Sequence, residues 1–276
     1  MRFEMSTPVI GAEVTGIDLN ASLSPELADE IHAALVEYNV LFFRDQHLEP
    51  ISQIDMARQF GEIERPHPLY PTLDGHPEIV KLHHGPHNAP DTDGWHTDLS
   101  FRARPPFASV LAGQVLPPCG GDTLWLSLSA AYDSLPTGLR SEVEQLQAVH
   151  DLGDFRNNFA TADDDGEALV QAHQRFGSAV HPIVRTHPVS GRKFLYVNEG
   201  FTQHVVGWRA ADSRRLLNLL FRHIEQPEHQ VRFRWSPGAV AMWDNRCTSH
   251  YALSDYLPHE RVMHRITLVD DRRSQD

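Results

Sequence analysis

Cysteine is nearly absent: Cys119 and Cys247 are the only two in 276 residues. That excludes a disulfide framework and a cysteine-rich structural zinc site. It favours a reducing compartment, so a cytoplasmic protein with both thiols as small core residues is expected. Positive charge is also short, with 24 Lys and Arg against 37 Asp and Glu and a formal net charge of -13. Such a surface repels phosphate backbones, and nucleic acid is not an expected partner. No apolar run approaches the roughly 18 residues a membrane helix needs, and no membrane association is expected. The opening "MRFEMSTPVIGAEVTG" lacks the continuous apolar stretch of a secretory leader. Internal repeats and low-complexity linkers are missing as well, which leaves residues 1–276 as one expected domain.

What is present is a mixture of short strands with a few helices set among them. "SPELADEIHAALVEY" has a capping Ser24, Pro25 at the first helical position, and Leu27, Ile31 and Leu35 on one face. "SQIDMARQFGEI" predicts a second short helix, and "LSAAYDSLPTGLRSEVEQL" a helical stretch broken at Pro136. "DSRRLLNLLFRHIEQ" predicts a helix with an apolar stripe and a solvated Arg-rich face. "NVLFFRDQ", "FASVLAGQVL", "RKFLYVNEGF" and "ERVMHRITLVDD" read as strands, and "VRFRWSPGAVAMWDNR" as a hairpin turned at Ser-Pro-Gly. The acidic "TADDDGEA" (161–168) reads as an exposed loop. The elements do not alternate as βαβ units, so a doubly wound parallel sheet is disfavoured. The expected class is mostly β with helical insertions, a double-stranded β-helix or jelly roll.

The chemistry begins at "DGWHTDLSF", where His96 and Asp98 stand two residues apart. On an extended segment, residues i and i+2 point to the same side, so both can grip one ion. With 18 histidines, roughly one His-x-Asp triplet arises by chance, and the triplet alone does not decide the matter. His47/Glu49 and His76/Glu78 are similar pairs in loop-like surroundings with no evident partner. His250, after the strand carrying Trp243, is the candidate third ligand. Two histidines and one carboxylate on one face suit non-haem Fe(II), whereas closed structural zinc takes four ligands. In the last strand Arg261 and Arg265 share a face, about 13 Å apart at the usual rise. On a buried face they would need two anions, one each, because no acidic residue lies on that strand face. On a solvated face they would need nothing.

In chain order, "WHTD", "GGDTLW", "HPVSG", "VNEGF", "WDNR", "HYA", "DYLP" and "RVMHR" resemble the taurine dioxygenase family of Fe(II)- and 2-oxoglutarate-dependent oxygenases. The resemblance runs from "GAEVTGIDL" to "HRITL". It implies an Fe(II) site at His96, Asp98 and His250, with O2 and 2-oxoglutarate as cosubstrates. It implies that Arg261 and Thr123 take the far carboxylate of 2-oxoglutarate. It further implies a substrate pocket of His67, Tyr70, Thr92, Phe159, Phe201 and Arg265, with Arg265 on a sulfonate. One position departs: the family's pocket asparagine falls at Thr92, which is shorter. The implied reaction hydroxylates the carbon next to a sulfonate and releases sulfite and an aldehyde. Taurine is the leading small-molecule substrate, and an alkyl sulfate ester or another organosulfonate is the alternative. A homo-oligomer is expected. The remaining histidines, His83, His84, His87, His204 and His264, are read as surface or hydrogen-bonded structural groups.

Overall fold

Strand β16 (Arg261–Leu268) is buried at every position, and its alternation sets the layers. Met263 joins one apolar cluster while Ile266 and Leu268 join another on the opposite face. The computed structural model describes residues 1–64, 70–90, 94–152, 170 and 174–274. Around β16 lies an eight-stranded sheet. Its spatial order is β1 (Arg2–Met5), β2 (Ala12–Thr15), β3 (Val40–Phe43), β14 (Val240–Asp244), β6 (Ala108–Val115), β16, β5 (His76–His84) and β4 (Thr72–Leu73). All its pairings are antiparallel except β2 with β3. A second sheet holds β13 (Gln230–Phe233), β7 (Thr123–Ser127) and β15 (Thr248–Ala252). Phe42, Leu111, Trp243 and Met263 of the large sheet pack with Trp125, Val231 and Phe233 of the small one, so this cluster fills the sandwich. The architecture is the jelly roll expected.

The outer face of the large sheet is covered by α1 (Pro25–Tyr38) and α2 (Pro50–Ala57). As predicted, Ser24 caps α1 by accepting from the Leu27 N–H, and Ile31 and Leu35 are buried. Asn39 ends the helix in the left-handed conformation. Beyond the small sheet, α3 (Leu128–Asp133), α4 (Thr137–Val143) and α5 (Ala210–Ile224) enclose a further core with β11 (Lys193–Leu195). Pro136 separates α3 from α4, as the sequence indicates. Strand β11 pairs with β10 (Val184–Thr186), and β8 (Gln147–His150) lies between β9 (Ala179–Pro182) and β12 (Thr202–Val205). No helix among the described residues is long and apolar enough to cross a membrane.

Several expectations need correction. "VRFRWSPGAVAMWDNR" is not a hairpin: β13 pairs with β7, while β14 pairs with β3 and β6. The Ser-Pro-Gly turn carries the chain across the sandwich. Pairing there is decided by which sheet buries each apolar face, not by sequence adjacency. His76 and Glu78 lie on β5 rather than in a loop. Cys247 is a core residue but Cys119 is exposed. His264 is neither at the surface nor fully hydrogen-bonded, for it is buried with Nδ1 unpartnered. "TADDDGEA" falls outside the described residues.

Candidate metal and cosubstrate site

His96 and His250 are joined by reciprocal backbone bonds, His96 N–H to His250 O at 3.0 Å and His250 N–H to His96 O at 2.8 Å. This two-bond bridge sets the "WHTD" segment beside β15 and brings both imidazoles together, ring centroids 4.2 Å apart. Thr97 points the other way and donates to the Thr248 carbonyl. Asn245 fastens Asp98 from both sides of its backbone, accepting its N–H at 2.9 Å and donating to its carbonyl at 3.0 Å. The chain then turns sharply at Leu99, whose φ of 53° is unusual for a branched residue. Gly200 of "VNEGF" packs closely on the ligand segment, since a Cβ there would press on His96 Cβ at 3.2 Å.

One ligand atom from each of His96, Asp98 and His250 lies within 4.8 Å of the others. His96 Nδ1–H donates to the Gly94 carbonyl at 2.9 Å, which leaves the Nε2 lone pair facing Asp98. His250 Nε2 is 3.8 Å from the same carboxylate oxygen. Burial pushes the Asp98 carboxyl up, but Arg265, then His250 and His96, outweigh it and hold it well below the usual range. Burial, with the His96 charge, lowers His250 to about 3, so it is a neutral imidazole near neutral pH. An anionic carboxylate with imidazole nitrogens that each offer a lone pair is the donor set a divalent metal requires. The Trp243 ring lies tilted against His250, centroids 4.9 Å apart.

Arg265 sits against this cluster, Nη1 3.2 Å from Asp98 Oδ1. The expectation that it lacks an acidic partner is therefore wrong, because the partner comes from a segment 167 residues away rather than from its own strand. Tyr70 lies over the guanidinium at 5.6 Å, and Phe201 stands edge-on to His96 at 6.2 Å. His67, Thr92 and Phe159 lie outside the described residues.

Arg261 differs. It is buried, donates from Nε to the Gly121 carbonyl at 3.1 Å and from Nη2 to Thr123 Oγ1 at 3.3 Å, and has no carboxylate within 4 Å among the described residues. Burial pulls it down to about 10, which leaves it charged at neutral pH. A buried guanidinium without an anion is costly unless a ligand supplies one. The far carboxylate of a dicarboxylate fits this place. Gly121, at φ 67°, shapes the turn; a Cβ there would press on Arg261 Cδ.

A second cluster, His187, Asp244 and Cys247, was not foreseen as a unit. Its signals, "HPVSG" and "WDNR", are visible in the sequence, but their convergence is not. The roles of Asn245 and of Ser109, which donates to Asp98 Oδ2 at 3.2 Å, were likewise missed; Asn245 stands inside "WDNR", whereas Ser109 carries no local signature.

The chain is similar to several known proteins. Residues 2–267 match the family described as taurine catabolism dioxygenase TauD, TfdA family. An alpha-ketoglutarate-dependent sulfate ester dioxygenase of Pseudomonas putida is 38% identical over 95% of this chain and 87% of its own. The crystal structure of a taurine dioxygenase from Burkholderia xenovorans superposes with a TM-score of 0.83 at 38% identity, covering 98% of this chain and 89% of that one. The structure of AAD-2 in complex with Mn(II) and N-oxalylglycine gives a TM-score of 0.83 at 30% identity, with 98% of both chains covered.

Proposed function

Because the chain belongs to the TauD, TfdA family and is thus a 2-oxoglutarate-dependent dioxygenase, we propose that residues 1–276 form one domain that oxidises the carbon next to a sulfur oxyanion. The substrate is a small organosulfonate or an alkyl sulfate ester. The observation that carries this reading is Arg265, a buried guanidinium 3.2 Å from the carboxylate of the three-residue cluster. An anionic group held there brings its neighbouring carbon close to the cluster, and a guanidinium fork suits a group with several oxygens.

In this reading His96, Asp98 and His250 hold Fe(II), which supplies O2 activation coupled to oxidative decarboxylation of 2-oxoglutarate. Arg261 and Thr123 take the far carboxylate of that cosubstrate. Tyr70 and Phe201 flank the substrate, and the family resemblance assigns His67, Thr92 and Phe159 to the same pocket. A zinc hydrolase on the same three ligands would leave Arg261 without an anion. With taurine, O2 and 2-oxoglutarate yield succinate, CO2 and a hydroxylated carbon that collapses to sulfite and aminoacetaldehyde. With an alkyl sulfate, the same oxidation yields sulfate and an aldehyde. Taurine has the likeness to the Burkholderia structure in its support. The sulfate ester has the Pseudomonas relative and the shorter Thr92.

The test is a panel of taurine, longer alkylsulfonates and alkyl sulfates under air with Fe(II) and 2-oxoglutarate, reading succinate together with sulfite or sulfate. Sulfite from taurine supports the sulfonate; sulfate with no sulfite supports the ester. Arg265→Leu should lose the coupled release yet keep slow, substrate-independent decay of 2-oxoglutarate. Succinate formation that none of these compounds stimulates would remove the sulfur-oxyanion reading.

A further inference from the structure

We propose that Trp235 is a positioning residue that fixes the direction of the Thr123 hydroxyl proton, so that Thr123 is pre-set to donate to the far carboxylate of the 2-oxo acid. This rests on the reading above that Arg261 and Thr123 take that carboxylate.

A threonine hydroxyl has one proton to give and two lone pairs to receive. Thr123 is buried. Its oxygen accepts the Trp235 indole N–H at 3.0 Å and an Arg261 Nη2–H at 3.3 Å. Indole and guanidinium are donors only. With both lone pairs engaged, the one remaining capacity of the hydroxyl is to donate, and no protein acceptor takes its proton among the described residues. The proton is left for a ligand acceptor beside Arg261. Without the indole, a lone pair is freed, and the hydroxyl can turn that lone pair toward an incoming carboxylate, which it would repel.

The indole is well placed to impose this. Phe233 is the register partner of Thr123 across β13 and β7, and Trp235 lies two residues further on. Phe233 stacks on Phe42 at 4.2 Å and meets Trp235 edge-on at 5.1 Å. The Trp235 ring also lies 5.9 Å from the Arg261 guanidinium carbon. One side chain thus contacts both donors of the carboxylate site, and none of these three contacts is to the three-residue metal cluster.

The experiment measures binding of N-oxalylglycine and of 2-oxobutanoate to the Mn(II)-loaded protein by calorimetry, without turnover. 2-Oxobutanoate keeps the chelating end and lacks the far carboxylate. Trp235→Phe should bind N-oxalylglycine about fivefold more weakly, the loss of one neutral hydrogen bond, and bind 2-oxobutanoate as the parent does. In a Thr123→Val background the same change should cost nothing further. Replacing Trp235 with the benzothienyl analogue of tryptophan, which keeps the shape and removes the N–H, should give the same selective loss even if the phenylalanine variant folds poorly. Unchanged N-oxalylglycine affinity, equal losses for both acids, or a full loss in the Thr123→Val background would each overturn the proposal. Arg261→Met tests the underlying reading separately. If its N-oxalylglycine affinity is unchanged, the carboxylate site itself is misplaced.

Discussion

Two buried clusters in this chain hold similar donors, and they have opposite characters. His96, Asp98 and His250 form one, and His187, Asp244 and Cys247 the other. In the second, the protein uses every strong donor and acceptor. His187 Nδ1 accepts the backbone N–H of Val189 and Ser190, so Nε2 carries the proton and gives it to Asp244 Oδ2 at 3.0 Å. Asp244 also receives the Arg246 guanidinium on both oxygens, and Arg246 reaches on to Asp271, which pairs with His32. Burial pushes the Cys247 thiol well up, so it stays protonated. No lone pair of the imidazole is left for an ion. In the first cluster, Nδ1 of His96 is spent on a carbonyl and Nε2 is not, and Nδ1 of His250 has no hydrogen-bond partner among the described residues. Proximity of donors is common to both; unspent lone pairs distinguish the metal candidate from the structural brace.

The largest expected effect is at the first cluster. Asp98→Ala should abolish turnover and lower Fe(II) occupancy roughly a hundredfold or more, with far-ultraviolet dichroism close to the parent and a lower thermal midpoint, because buried Arg265 loses its carboxylate. Metal analysis after dialysis checks it; full activity with unchanged metal content would break the contrast. Asp244→Ala should do the reverse. It takes the acceptor from His187 and leaves Arg246 with Asp271 alone, costing about 3–5 kcal/mol of stability, while the protein that remains folded keeps its metal stoichiometry. Denaturant midpoints read the loss.

The next effect sharpens the contrast through pH. Burial pushes the Asp244 carboxyl up, but Arg246 and the His187 bond outweigh it and hold the group below its ordinary value; Asp271 is lowered likewise by His32 and Arg246 against its burial. Both groups have depressed folded values, so the unfolded chain binds more protons in acid. Their stabilisation is complete above the unfolded Asp value of about 3.9 and is lost as pH falls through the folded values. Asp244→Asn should therefore unfold less steeply in acid than the parent, by about 1.4 kcal/mol per pH unit below pH ~4. Parallel acid profiles for the two proteins would mean that Asp244 is not the proton-linked group. The smallest effect is at Cys247: Cys247→Ala should cost about 1 kcal/mol and leave iron binding and turnover unchanged. Loss of metal in that variant would place the second cluster in the chemistry after all.

Much of this was legible in the residues themselves. The Ser24–Pro25 start of α1, the break at Pro136 and the alternation along β16 follow from backbone chemistry that needs no distant partner. His96 and Asp98 share a side because they are two apart on a nearly extended segment, and the family motifs supplied His250, Arg261 and Thr123. What failed was of one kind. The Ser-Pro-Gly segment looked like a hairpin because local signals cannot say which sheet receives each strand. Arg265 looked unpartnered because Asp98 reaches it from far along the chain.

The sequence by itself determined the donor types, the strand that carries both arginines and the expectation of a jelly roll around them. The tertiary structure alone decided which of those donors remain unspent. A hydrogen bond saturates a lone pair whatever its separation in the chain, so whether His187 is a brace, whether Arg261 lacks an anion and where the Thr123 proton points depend on groups that meet only when the sheets pack.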